Sequence, residues 1–133
     1  MLTFVLVPLF LLSSGCAGVL TGKAVVTETM VGKVEMDLRS RRKLKITEHD
    51  AVVEGDSVRS ITVEWRNVSD GDITARIRTI FYRTSGEILV GDREGWVSYT
   101  IPPGGTQVLQ WSAPGGKAAR YVIRVESAAW LPL

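Results

Sequence analysis

Hydrophobic and polar positions alternate with a period of two through much of the chain. In "SITVEWRNV", Ile61, Val63 and Trp65 fall on one side, and Thr62, Glu64 and Arg66 on the other. "TARIRTIFYR" sets Ala75, Ile77, Thr79 and Phe81 against Arg76, Arg78, Ile80 and Tyr82. "WVSYTI" sets Trp96, Ser98 and Thr100 against Val97, Tyr99 and Ile101, and "TQVLQW" and "RYVIRVES" continue the habit. Successive side chains of a strand face opposite sides, so each run predicts a strand with one face packed and one wet. "RKLKITEHDAVV" (Arg42–Val53) predicts an earlier strand. No helical heptad or solenoid repeat is visible.

Turn residues punctuate these runs. "NVSDGD" (Asn67–Asp72) separates two strands, and its Asp70-Gly71 pair predicts a positive φ at Gly71. "TSGE" places a tight turn at Gly86, and "PPGG" (Pro102–Gly105) and "APGG" (Ala113–Gly116) close two more connections. Short strands at this spacing predict an all-β, antiparallel sandwich or barrel. We assign it to residues 38–133. Residues 16–37 contain "AVVTETMVGKVEM", which reads as either a flexible tether or a first hairpin.

The first residues break the pattern. Residues 1–22 carry no charge, and "MLTFVLVPLFLL" is too short for a bilayer span, which takes about 20 residues. It fits the apolar region of a secretory signal, with small residues Ser13, Ser14 and Gly15 at its end, giving a signal peptide over residues 1–15. The single cysteine, Cys16, follows at once. This arrangement resembles the lipobox of bacterial lipoproteins, although Ser13 stands where that family prefers Leu. The resemblance implies that the Cys16 thiol takes a diacylglyceryl group. It also implies cleavage before Cys16 and acylation of the new N-terminus by a fatty acid such as palmitate. The other reading of the same residues is an uncleaved membrane anchor. Ala17, after the cysteine, looks like a pass to the outer membrane, facing the periplasm. With its only cysteine lipidated, an exported domain forms no internal disulfide and relies on its core.

A second resemblance covers roughly residues 44–127. The alternating strand ends in Asn67; an aromatic strand with Phe81 and Tyr82 turns at Gly86; Trp96 precedes a strand and a Pro/Gly turn. Ala113-Pro114 then leads, through Ala119, to a last strand at Tyr121–Val125. The order is similar to that of the YcfL-type small periplasmic lipoproteins. That likeness implies an immunoglobulin-like β-sandwich in the cell envelope and implies no established activity.

Charge and candidate chemistry narrow the picture further. Lys+Arg 16 against Asp+Glu 14 gives a net charge of +2, which argues against nucleic acid as a partner. Enzymes need a nucleophile with its base, an acid–base pair or a metal. The one histidine, His49, stands in "TEHDAVV" without a nucleophile elbow elsewhere, and an exposed histidine near a strand end is the expectation. Asp70, Asp72, Asp92 and Glu94 are the candidate calcium ligands, but the twelve-residue loop pattern is absent and turn chemistry accounts for Asp70-Gly71. We therefore assign no catalytic residue, no metal and no cofactor. "RSRRKLK" is the densest charge run, and Arg39, Arg41, Arg42, Lys43 and Lys45 are candidates for contact with an anionic surface. The competing reading is a solvated linker or strand edge, where cations deter edge-to-edge pairing. Trp65 reads as core, and Trp96 and Trp111 as core or half-buried. Trp130 and Leu131, in the apolar tail "SAAWLPL", either fold back onto the sandwich or are candidates for docking on a partner.

The resulting expectation is a non-enzymatic, lipid-anchored β-sandwich of the cell envelope, an interaction or accessory module with an unidentified envelope protein partner. A structural lipoprotein subunit of a secretion or envelope machine is the alternative.

Overall fold

The computed structural model describes residues 23–89, 95–113 and 117–127. The leader, Cys16, Asp92, Glu94, Trp130 and Leu131 lie outside the described residues.

Eight strands and one short helix follow in chain order: β1 (Ala24–Glu28), β2 (Gly32–Met36), α1 (Leu38–Lys43), β3 (Leu44–Glu54), β4 (Ser57–Asn67), β5 (Ile73–Tyr82), β6 (Val97–Ile101), β7 (Thr106–Ser112) and β8 (Arg120–Ser127). They form two sheets, one of five strands in the order β1-β2-β8-β5-β6 and one of three in the order β3-β4-β7. The sheets face each other as a β-sandwich.

The alternation seen in the sequence is what packs them. In β4, Val58, Ile61, Val63 and Trp65 are buried; in β8, Tyr121, Ile123 and Val125 are; in β5, Ile73, Ala75, Ile77 and Phe81 are. These side chains share one core with Val34, Met36, Leu44, Ile101 and Leu109. Burying a large aliphatic side chain stabilises by about 1.5–3 kcal/mol, which is what fixes each strand's register against a one-residue slip. Trp65 meets Trp111 edge to face, with ring centroids 6.3 Å apart. Trp96 is half-buried on the outer face, with the Arg76 guanidinium 4.9 Å above its ring.

Of the two readings left open for residues 16–37, the described part, residues 24–36, forms the hairpin β1–β2, and β2 is an inner strand of the larger sheet. Its partner is β8, Gly32 opposite Tyr121 through Met36 opposite Val125, and this pair is parallel whereas the other ladders are antiparallel. A parallel pair needs a crossover; here it is nearly the whole domain, so no local signal marks it. Two other expectations are corrected. First, the charge run is not a linker: Arg39 to Lys43 lie on α1, and Lys45 lies at the start of β3, an edge strand of the smaller sheet. Asp37 caps α1, its side chain accepting from the Ser40 amide at 2.8 Å. Second, Gly71 does not adopt a positive φ, whereas Gly55, Gly86 and Gly104 do. The β4–β5 connection is shaped instead by Asn67, whose Oδ1 accepts from the Ser69 amide at 2.9 Å. Its Nδ2 donates to the carbonyls of Gly71 and Ile101, both at 2.8 Å.

The register gives the sandwich two distinct ends. At one end lie Lys23 and the start of β1, α1, the start of β3, the β4–β5 and β6–β7 connections and the end of β8. At the other lie the β1–β2 and β3–β4 turns, the turn at Gly86 and the start of β8.

Candidate functional site

His49 is not at a strand end. It sits in the middle of β3, half-buried, on the side facing β1. A bulge between Ile46 and Glu48 resets the strand's alternation, so that His49, opposite Val63, falls on the core side. Both of its ring nitrogens are engaged. Nδ1 lies 2.9 Å from the Thr27 hydroxyl on β1, and Nε2 lies 2.7 Å from the Tyr121 hydroxyl on β8. The two rings meet edge to face, 5.9 Å between centroids.

The Tyr121 hydroxyl continues the chain of contacts to the Thr29 hydroxyl at 2.9 Å. Thr29 Oγ1 in turn accepts from the Gly32 amide at 3.1 Å. One arrangement satisfies every group in turn. The Gly32 amide donates to Thr29, Thr29 donates to Tyr121, Tyr121 donates to His49 Nε2, and His49 Nδ1–H donates to Thr27. It requires neutral imidazole. Partial burial pushes the His49 pKa below its ordinary 6.5, against a smaller upward pull from Asp50. Burial pushes the Tyr121 phenol above its ordinary 10, offset in part by its bond to Thr29 and reinforced by Asp50. Each ring nitrogen of His49 is occupied by a protein hydroxyl. The network ties the edges of the two sheets together. Gly32 is part of the same fit, because a Cβ there would overlap the Tyr121 ring.

Beyond Tyr121, at the turn end, an open groove of about 400 Å³ is lined by Glu28, Met30, Lys33, Tyr82, Gly86 and Arg120 among others. It combines two cations, one carboxylate and the fully exposed Met30 side chain, a mixed surface rather than a pocket for one small molecule.

At the opposite end the cationic candidates come together. Arg39, Arg41, Arg42 and Lys43 ride on α1, and Lys45 follows in β3; Arg39, Arg42 and Lys45 are exposed, while Arg41 and Lys43 are partly covered. Lys45 and Arg66 line a second open groove, of about 420 Å³, with Val68, Ser69 and Gly104. Asp70 and Asp72 are exposed on the β4–β5 connection. Among the described residues no group of three or more His, Cys, Asp or Glu side chains could hold a metal ion, and no helix is long and apolar enough to cross a membrane.

Sequence reasoning named the cationic run but not the partners of His49. The bonded pairs Thr27–His49, His49–Tyr121 and Thr29–Tyr121 are 22, 72 and 92 positions apart, and no spacing in the sequence announces that convergence.

No protein-family model matches the chain, and no curated protein does. Among solved structures it is similar to a crystal structure of a DUF1425 family member from Shewanella sp. pv-4, at 13% identity and a TM-score of 0.52, covering 79% of this chain and 88% of that one. It is also similar to Campylobacter jejuni cj0090, at 13% identity and a TM-score of 0.48, covering 62% of this chain and 84% of that one. At this identity the Shewanella likeness shows a shared β-sandwich fold.

Proposed function

We propose that the chain is a lipid-anchored, non-enzymatic β-sandwich of the bacterial cell envelope, of the YcfL type. It is held at Cys16 to the periplasmic face of the outer membrane, where it serves as an interaction or accessory module for an envelope protein. The observation that carries this reading is Cys16 itself, the single cysteine, set directly behind small residues at the end of an uncharged apolar leader. Two findings support it. The sandwich is the fold of a DUF1425 family member, and both ring nitrogens of the one histidine are committed to a contact between sheets. Two or more acyl chains anchor stably, so the domain needs no spanning helix of its own.

Labelling cells with radioactive palmitate tests the reading. Incorporation into the wild-type chain and none into Cys16→Ser is the expected result; equal labelling of the two, or of neither, overturns it. Co-purification of the chain with a large membrane complex would favour the alternative, a structural subunit of an envelope machine.

A further inference from the structure

We propose that the end of the sandwich built from α1 and the start of β3 is the face the domain presents to an anionic phospholipid surface. The inference rests on the anchored reading for its geometry and on charge for its chemistry. Lys23, where the sandwich begins, lies at the same end as α1, because Ala24 pairs with Met36, the last residue before the Asp37 cap. Lys23 stands seven positions after Cys16, a reach of at most about 25 Å. A lipid at Cys16 therefore holds this end, not the opposite one, near the headgroups.

The chemistry of this end suits that place. Arg39, Arg42 and Lys45 are exposed and have no ion pair among the described residues. Arg66 joins them, also exposed, across the β3–β4 ladder from Lys45. The carboxylates at this end are Asp37, Asp70, Asp72 and Glu126, with two set further in: Glu64, which accepts from the Thr47 hydroxyl, and Glu35, which is paired with Lys33 and Arg124. Asp37 is consumed as the cap of α1, and Glu126 is paired with Lys23 and Arg76. Asp70 and Asp72 are fewer than the cations. The cations are also held in place, because α1 is tied to β8: the Asp37 amide donates to the Val125 carbonyl at 3.2 Å, and Asp37 Oδ2 accepts from the Ser127 amide at 3.2 Å. Val68, 53% exposed, projects beside them, its amide bonded to the Lys43 carbonyl. Cations flanking an exposed apolar side chain make a surface that meets headgroups.

The test is chemical footprinting of the full chain, purified from membranes and returned to vesicles of phosphatidylcholine alone or with phosphatidylglycerol. A water-soluble amine reagent reports on Lys43 and Lys45 at this end, and on Lys33 and Lys117 at the other, by peptide mass spectrometry. The expected result is that labelling of Lys43 and Lys45 slows by about threefold or more on anionic vesicles only, and recovers in high salt, where screening shortens the reach of charge. Lys33 and Lys117 stay unchanged. The Arg39→Glu/Arg42→Glu variant loses the protection; the salt titration on the wild-type chain needs no variant and decides alone if that one misfolds. Equal labelling on both vesicle types, or protection of Lys33 and Lys117 instead, overturns the proposal. Protection in native membranes but on neither vesicle type overturns it in favour of an acidic protein partner. Failure of the anchor shows separately, as a chain that does not float with neutral vesicles whatever its footprint on anionic ones.

Discussion

The Oδ2 oxygen of Asp37 accepts a hydrogen bond from the backbone amide of Ser127 at 3.2 Å, while Oδ1 of the same carboxylate accepts from the Ser40 amide. One side chain thus caps α1 and ties it to the last strand. Six residues are too few for a helix to stand alone in water, so this carboxylate decides whether the cationic run is ordered. Asp37→Ala is expected to cost about 1–2 kcal/mol from the lost cap and the lost second bond. Asp37→Asn, which keeps a capping oxygen, is expected to cost less. Urea unfolding midpoints of the two variants check this, and the order of the two is the decisive result.

Tyr121 joins both halves of the His49 network. Tyr121→Phe leaves His49 Nε2 and the Thr29 hydroxyl without their partner in a half-buried place, which is expected to cost about 1–3 kcal/mol. Gly32→Ala pushes a methyl into the Tyr121 ring and is expected to cost at least as much through strain. Combining Gly32→Ala with Tyr121→Ala tests the mechanism: the glycine substitution should become nearly harmless once the ring is gone. Thermal unfolding of the single and double variants measures the coupling.

The pH dependence follows from the direction of two shifts. Burial lowers the His49 pKa below 6.5, so the unfolded chain binds its proton first as pH falls. Stability is complete above about 6.5 and declines as pH drops toward the folded value. Burial works to raise the Glu126 carboxyl, but bonds and charges from Lys23 and Arg76 outweigh it and hold it below its ordinary 4.5. Its contribution is present above that value and is lost as pH falls further, through its folded pKa. Melting temperatures from pH 8 to 3 should fall in two stages. His49→Gln should flatten the first and Glu126→Gln the second.

Asn67 is fully buried and closes one end of the sandwich. Its side chain donates to Gly71 and Ile101, while its backbone exchanges bonds with Gly104 and Gly105 across the β6–β7 turn. Asn67→Ala is expected to cost about 2–3 kcal/mol, because buried carbonyls lose their donor. Gly104→Ala, at φ 72°, is expected to cost about 1–2 kcal/mol. Gly71→Ala should lie within about 0.5 kcal/mol of wild type, since Gly71 lacks a positive φ and nothing crowds it. Denaturant unfolding of the three variants tests the ranking.

What the sequence disclosed, it disclosed through local periodicity. Ile61, Val63 and Trp65 could be assigned to the core because a period of two has only one packed face. The turns at Gly86 and Gly104 were legible because Gly marks them wherever it falls. Asp70-Gly71 misled because Asn67, a few residues earlier, already satisfied that loop from its own side chain. The parallel pairing of β2 with β8 left no trace, since its partners stand almost 90 positions apart. The run Arg39–Lys45 was visible as charge, but its helix depends on Asp37, whose second bond comes from the far end of the chain. For His49 the sequence predicts an exposed place near a strand end, but it lies within β3. The bulge between Ile46 and Glu48, which turns His49 inward, has no signature in the residue types.

The central claim is the lipid at Cys16, and intact mass tests it most directly. The chain is purified from membranes, wild type beside Cys16→Ser, and weighed whole. The account predicts a wild-type mass equal to the chain from Cys16 onward plus a di- or triacyl adduct, lost in the variant. A wild-type mass that begins at Met1 and carries no lipid would contradict it, and would make the leader a membrane anchor.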